Sequence, residues 1–221
     1  MVATGLVKRF TIGSTEVLAV DGVDLDIKKG DFDLITGVEG SGKSTLLGML
    51  GGLTPPSEGN ILLQGQNIWT LSGTRRAHLR ATEISLIFSF SGLLPTLTVL
   101  ENVMFPSVFA GTMVHIDKKA HRLLQLVGLS GKEDLGPDCL SPDEGIRASI
   151  ARALINDPSI ILADDPVRDL DPEKVTGIME IFATIHREGK TIVLASRTTE
   201  LESFAQRVMR MERGKLSEQI A

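Results

Sequence analysis

The 221-residue sequence holds a single cysteine, Cys139, which excludes an internal disulfide and fits a reducing compartment. Positive charge is in the minority: 23 Lys and Arg stand against 28 Asp and Glu, a formal net charge of −5. No basic stripe exists to replace phosphate counterions, which argues against a nucleic-acid partner. No apolar run approaches the roughly 20 residues that a membrane-spanning helix needs. The opening residues Met1-Val2-Ala3-Thr4-Gly5 lack the basic and apolar regions of a signal peptide. Internal repeats, low-complexity tracts and long linkers are missing as well. These absences read as a soluble, cytoplasmic chain that reaches a membrane only through a partner.

What is present suits one large domain with a substantial core. The first 35 residues read as strands broken by turns: Val7 to Thr11, Val17 to Ile27, and Asp31 to Ile35. A glycine-rich loop follows, then a helix from about Lys43 to Met49, a strand from Gly59 to Gln66 with a turn at Gly65, a short helix from Arg75 to Arg80, and a buried strand from Ile84 to Phe88. Between Phe90 and about Gly136 the pattern changes to helices, Val99 to Ala110 and Asp117 to Val127, at helical spacing. Regular alternation then resumes: helix Pro142 to Ile155, strand Ile160 to Asp164, helix Pro172 to Glu188, strand Thr191 to Ser196. Such alternation implies a parallel sheet covered by helices, with the 90–136 stretch as a helical insertion. A helix near Glu200, a strand from Arg207 to Met211 and a turn at Arg213-Gly214 close the chain.

Gly37-Val38-Glu39-Gly40-Ser41-Gly42-Lys43-Ser44 matches GxxxxGK[ST], with an apolar strand before it and a helix after it. Glycines let backbone N–H groups converge on a polyphosphate, and a helix N-terminus adds a positive dipole end. Lys43 would reach the β- and γ-phosphates and Ser44 would give its hydroxyl to Mg²⁺, with Thr45 next in the cradle. The strand Ile160 to Asp164 ends in the carboxylate that places an acid near the metal's water shell. Cradle and carboxylate together predict a P-loop nucleotidase that binds Mg²⁺, without yet fixing which kind.

The order of the remaining segments resembles the ATPase subunits of ABC transporters over essentially the whole chain. Gly30-Asp31, Pro56 to Asn60, Leu93 to Val103, Ala151 to Leu154 and Asp169-Leu170-Asp171 carry the resemblance, most closely to the lipoprotein-release and macrolide-efflux branch. It implies an α/β P-loop NTPase fold with a RecA-like parallel core, an N-terminal antiparallel β subdomain and a helical insertion. In domain terms, 1–89 and 137–221 form the core and about 90–136 the helical subdomain. It also implies transmembrane partners, a site on the cytoplasmic face of the membrane, and two ATPase subunits sandwiching two ATP molecules.

Against the family pattern, four positions used for hydrolysis are altered. Ser89 stands where a glutamine would reach the metal and the attacking water, and it also suits a polar turn. Asp165 replaces the water-orienting glutamate one methylene short, and an error of about 1 Å can cost on the order of a hundredfold in rate. It reads equally as a turn Asp before Pro166. Arg197 replaces the switch histidine; its pKa is too high for a proton shuttle, yet it could hold a γ-phosphate. A surface Arg without a role is the alternative. The LSGGQ signature reads Leu140-Ser141-Pro142-Asp143-Glu144. Ser141 keeps a hydroxyl for the partner's γ-phosphate, Pro142 has no N–H, and each new carboxylate would repel a charge about 6 Å away by roughly 3 kcal/mol before screening. The same residues make a good helix start, with Ser141 as N-cap, Pro142 at N1 and Glu144 closing a capping box. Phe10 stands where an aromatic often stacks on adenine, though a core Phe on an edge strand fits equally.

A homodimer would carry all four changes at both composite sites. The pattern therefore predicts a second ATPase subunit that is a different chain, this chain holding ATP as a clamp while turnover occurs at the partner's P-loop. Phe88, Phe90, Leu93, Leu94, Phe105 and Phe109 suit either a groove for a partner helix or the insertion's own core, the latter favoured for most of them. A non-hydrolytic, ATP-dependent scaffold or regulator is the second reading. A DNA- or ribosome-directed ABC protein is disfavoured by the acidic balance, and a kinase or GTPase by the lack of a lid or guanine-selecting segment.

Overall fold

Alternating apolar and polar residues at the start of the chain produce a long hairpin. In the computed structural model, which describes residues 1–111 and 114–218, β1 (Val2–Ile12) and β2 (Thr15–Asp26) pair antiparallel. β4 (Glu58–Leu63) pairs with the other side of β1, and β5 (Gln66–Asn67) pairs with β4. The result is a four-stranded sheet in the order β2-β1-β4-β5.

The second sheet has six strands in the order β10-β9-β3-β8-β7-β6. β3 (Phe32–Thr36), β6 (Ile84–Ile87), β7 (Ile160–Asp164), β8 (Thr191–Ser196) and β9 (Arg207–Glu212) run parallel. β10 (Lys215–Glu218) closes the edge antiparallel to β9. Side-chain alternation divides this sheet between two cores. Phe32, Leu34, Ile161, Ala163, Ile192 and Leu194 face a core completed by helices α3 (Val99–Met104), α5 (Ile116–Leu126), α6 (Pro142–Leu154) and α7 (Pro172–Arg187). Ile35, Ile160, Leu162, Val193 and Ala195 face the opposite core, where α1 (Lys43–Leu50) is sandwiched against the four-stranded sheet. α1 is apolar on nearly every side because both sheets surround it: Leu46, Leu47, Met49 and Leu50 are all buried. This is an α/β P-loop NTPase fold, as the sequence implied.

Several segments differ from the sequence expectation. The span Val99 to Ala110 is not one helix. α3 ends at Met104, Phe105 caps it, and Pro106 begins a short α4 (Ser107–Ala110). Proline brings no N–H for the helical ladder, so the chain breaks there. α2 (Gly73–Thr82) is longer than the expected Arg75 to Arg80, because Ser72 accepts from the Arg75 N–H and moves the start forward. Near Glu200 there is only a 3-10 turn, Glu202–Phe204. β10 was not expected at all. Arg213 and Gly214 both have positive φ, 47° and 82°, the conformation of a two-residue hairpin turn, so the chain folds back onto β9 instead of ending there. Among the described residues, no helix is long and apolar enough to cross a membrane.

Candidate functional site

In a parallel sheet the loops after the carboxyl ends of the strands gather on one side. β3, β8 and β7 are neighbours. The glycine loop after β3, Asp165 after β7, Arg197 after β8 and Ser89 after β6 therefore converge on one cavity of about 190 Å³. Its lining also includes Glu39, Gly40, Gly42, Lys43, Ser44, Thr45, Asp164, Arg168 and Ala19.

The glycine loop is compressed against its neighbours. A Cβ at Gly42 would fall on the Ala19 carbonyl oxygen, and one at Gly37 on the Met211 carbonyl oxygen. Gly42 also has φ 110° and caps α1, so no side chain suits that position. The first bond of α1 runs from the Leu46 N–H to the Gly42 oxygen at 2.9 Å, which leaves the N–H groups of Lys43, Ser44 and Thr45 facing out of the helix end. Lys43 lies folded onto the loop: its Nζ donates to the carbonyl oxygens of Gly37 at 2.5 Å and Val38 at 2.9 Å, and to Ser41 Oγ at 3.2 Å. Burial pulls the Lys43 pKa down, while Asp165 and Asp164 pull it up. An anion would give this ammonium a charged partner in place of neutral carbonyls.

Ser44 Oγ donates to Asp164 Oδ1 at 3.0 Å. Burial raises the Asp164 pKa, against the Ser44 hydrogen bond that lowers it. A hydroxyl and a carboxylate adjoining a phosphate cradle are hard oxygen donors of the kind that suit Mg²⁺, which keeps several waters and binds through few protein groups. Among the described residues no cluster of three or more His, Cys, Asp or Glu forms a metal site.

Asp165 does sit in a turn, with φ 48°, and its N–H donates to the Ala195 oxygen at 2.8 Å. Each oxygen of its carboxylate holds a partner. Oδ1 accepts from Ser196 Oγ at 3.3 Å, and Oδ2 from Arg197 Nε at 2.8 Å. Arg197 lines the cavity and also meets Asp169 at 3.3 Å and Glu39 at 3.7 Å. Hydrogen bonding to Asp165 raises its pKa further. Ser89 lines the same cavity.

Five sequence candidates lie outside this lining: Gly37, Val38 and Ser41, which meet Lys43 Nζ from within the glycine loop, and Ser141 and Phe10, which stand on other elements. Ser141 is the N-cap of α6, and Glu144 Oε2 accepts the Ser141 N–H at 3.0 Å, the returning half of the expected capping box. The Ser141 hydroxyl donates to Asp143 Oδ1 at 2.9 Å. The carboxylates beside it are not bare, which corrects the expected repulsion: Glu144 pairs with Lys132 at 2.5 Å, and Asp143 with Lys174 at 3.3 Å and Arg147 at 3.7 Å. Lys132 and the Ser141 N–H hold the Glu144 pKa down. Burial raises that of Asp143 but is outweighed by Ser141 and Lys174. Phe10 is 38% exposed, with Lys8 Nζ 5.0 Å from its ring centroid, so it is not a core residue. It pairs with Val17 across the hairpin, two positions from Ala19 at the cavity wall. Ala19 and Arg168 were missed in the sequence: alanine carries no chemical signal, and Arg168 is brought to the cavity beside Glu39, 129 positions away in the chain.

Phe90, Leu94, Phe105 and Phe109 are exposed, which corrects the expectation that most of this cluster forms a core. Phe105 and Phe109 meet edge to face at 5.4 Å, and Phe88 and Phe90 stack at 5.6 Å. Phe88 and Pro106 line a groove of about 240 Å³ with Leu53, Arg80 and Arg152.

The sequence pattern of the ABC transporter family matches residues 20–168. An uncharacterized ABC transporter ATP-binding protein of Thermotoga maritima is 38% identical over 95% of this chain and 90% of its own length. The lipoprotein-releasing system ATP-binding protein LolD of Xanthomonas oryzae is 36% identical over 98% of this chain and 89% of its own. The macrolide export ATP-binding/permease protein MacB of Chlorobaculum tepidum is 38% identical over 94% of this chain, which spans about a third of that relative, 32%. Among solved structures, a dimeric bacterial ABC transporter cassette superposes with a TM-score of 0.92 at 32% identity, covering 99% of this chain and 97% of that one. The same cassette is known in a post-hydrolysis dimer bound to ADP and Pi. The chain belongs to the ABC transporter family and is one of its ATP-binding domains.

Proposed function

We propose that the chain is the ATP-binding subunit of an ABC transport or mechanotransmission complex, and that it holds Mg-ATP far better than it cleaves it. Lys43 and the N–H groups at the start of α1 bind the phosphates, Ser44 and Asp164 hold Mg²⁺, and the apolar hairpin face at Phe10 and Val17 receives the base. Mg²⁺ supplies charge neutralisation at the phosphates. The observation that carries the weakened chemistry is the 2.8 Å bond from Arg197 to Asp165. A carboxylate that is one methylene short and already bound to a guanidinium is a poor acceptor for a water proton. Arg197 cannot relay a proton in place of histidine. Its role is to hold charge.

Pro142 weakens the signature segment through its missing N–H. The ion pairs around Asp143 and Glu144 reduce the electrostatic part of that defect, so the loss of the N–H and the occupied Ser141 hydroxyl carry most of it. In a complex with a different second ATPase chain, this subunit serves as a clamp and the partner's P-loop turns over. The groove beside Phe88, together with exposed Phe90, Phe105 and Phe109, supports docking of a transmembrane partner on the helical subdomain, about 90–136, inserted into a core of 1–89 and 137–221.

The paired variant Asp165→Glu with Arg197→His tests the reading. Its turnover should rise by on the order of a hundredfold over the unaltered chain, while Asp165→Glu alone gains less than about tenfold because Arg197 still holds the carboxylate. No gain in the paired variant would mean that these two positions do not limit hydrolysis.

A further inference from the structure

The phosphate loop carries a carboxylate at its tip. Glu39 is 73% exposed at its side chain, with Oε1 3.6 Å from Arg168 Nη2 and Oε2 3.7 Å from Arg197 Nη1. The same two arginines share Asp169, each at 3.3 Å, and Arg197 also holds Asp165. Glu39, Asp165, Arg168 and Arg197 line the same cavity as Lys43 and Ser44. Three carboxylates therefore stand with two guanidinium groups, leaving a surplus of negative charge at the outer side of the cradle. Exposed ion pairs at these separations add little to stability. Their effect falls instead on an incoming anion, which meets this excess of negative charge at the cavity mouth in a salt-dependent way.

We propose that Glu39 sets the preference of this site between nucleoside triphosphate and diphosphate. It keeps Arg168 and Arg197 turned toward the loop tip, so a terminal phosphate must displace a carboxylate to reach either guanidinium. Phosphates nested on the N–H groups of Lys43, Ser44 and Thr45 meet no such competitor. The site thus takes a triphosphate less tightly, relative to a diphosphate, than its cradle alone would allow. The inference rests on the reading that this cavity binds a nucleotide.

Isothermal titration of the full chain with Mg-ADP and with a non-hydrolysable Mg-ATP analogue tests it, comparing the unaltered chain with Glu39→Gln and Glu39→Ser. Both neutral variants should tighten the triphosphate analogue about fivefold while changing ADP by less than about twofold, and the gain should shrink as salt rises. Two different replacements guard against a folding defect in either one. An unchanged ratio of the two affinities in a folded neutral variant, or an equal gain for both nucleotides, would overturn the role of Glu39 and leave the proposed function standing. Failure of the unaltered chain to bind either nucleotide would instead remove the proposed function, and this inference with it.

Discussion

Gly42 concentrates the local physics of the cradle. Its φ of 110° is closed to ordinary side chains, and the Ala19 carbonyl oxygen occupies the place a Cβ would take. Gly42→Ala should therefore cost about 1–3 kcal/mol in strain and displace the start of α1. Chemical denaturation and nucleotide titration of the same variant should show the two losses together; an Ala variant with normal stability and normal binding would contradict this geometry. Lys43 shows the complementary feature. Its ammonium is held by two carbonyls and a hydroxyl, a preorganised cation ready for an anion. Asp165 shows the opposite: each of its carboxylate oxygens already accepts a hydrogen bond, from Ser196 and from Arg197.

At the scale of elements, α6 illustrates how the segment standing in place of LSGGQ serves the fold as a helix start. Pro142 opens the helix, Glu144 accepts the Ser141 N–H, and Lys132 neutralises Glu144. Glu144→Ala should destabilise the chain by about 1 kcal/mol at neutral pH. Because Lys132 and Ser141 lower the folded-state pKa of Glu144, its stabilisation is present above the unfolded pKa and lost as pH falls through the lower folded value. The gap between Glu144→Ala and the unaltered chain should therefore close on acidification below the ordinary glutamate range. A gap that is constant with pH would contradict the ion-pair and capping assignment.

The elements also show what was legible in advance. Strands β7 and β8 and helices α1, α6 and α7 could be placed within a residue or two, because period and capping residues are local signals. Lys43, Ser44 and Asp164 could be gathered into one site because motif order and a parallel sheet place strand ends together, and Ser89 joined them through the family resemblance. The Arg197–Asp165 bond was not legible, since the partners lie 32 residues apart and only the β7–β8 pairing joins them. Nor were the cations around Asp143 and Glu144, contributed by Lys132 before the helix and Lys174 on α7. The break at Pro106 was visible as a proline, but the apolar spacing running through it favoured one continuous helix. β10 was missed because Lys215–Glu218 has too little apolar content to announce a strand, and it exists through pairing with β9.

For the whole molecule, two cores on either side of one sheet hold the strand ends rigid, and the site is built on those ends. Arg207 ties the base of this arrangement together: it grips buried Asp33 with bonds of 2.9 and 2.6 Å, and also the Asp26 carbonyl. With the nest anchored and the groups beside it locked in ion pairs, the central claim concerns the fate of bound ATP. The direct measurement is to load the purified chain with Mg-ATP, remove free nucleotide, and identify what remains bound over time. The account predicts bound ATP that persists for minutes. Conversion to ADP at about 10 s⁻¹, the rate of a median enzyme, would contradict it, as would a chain that retains no nucleotide when loaded at millimolar Mg-ATP.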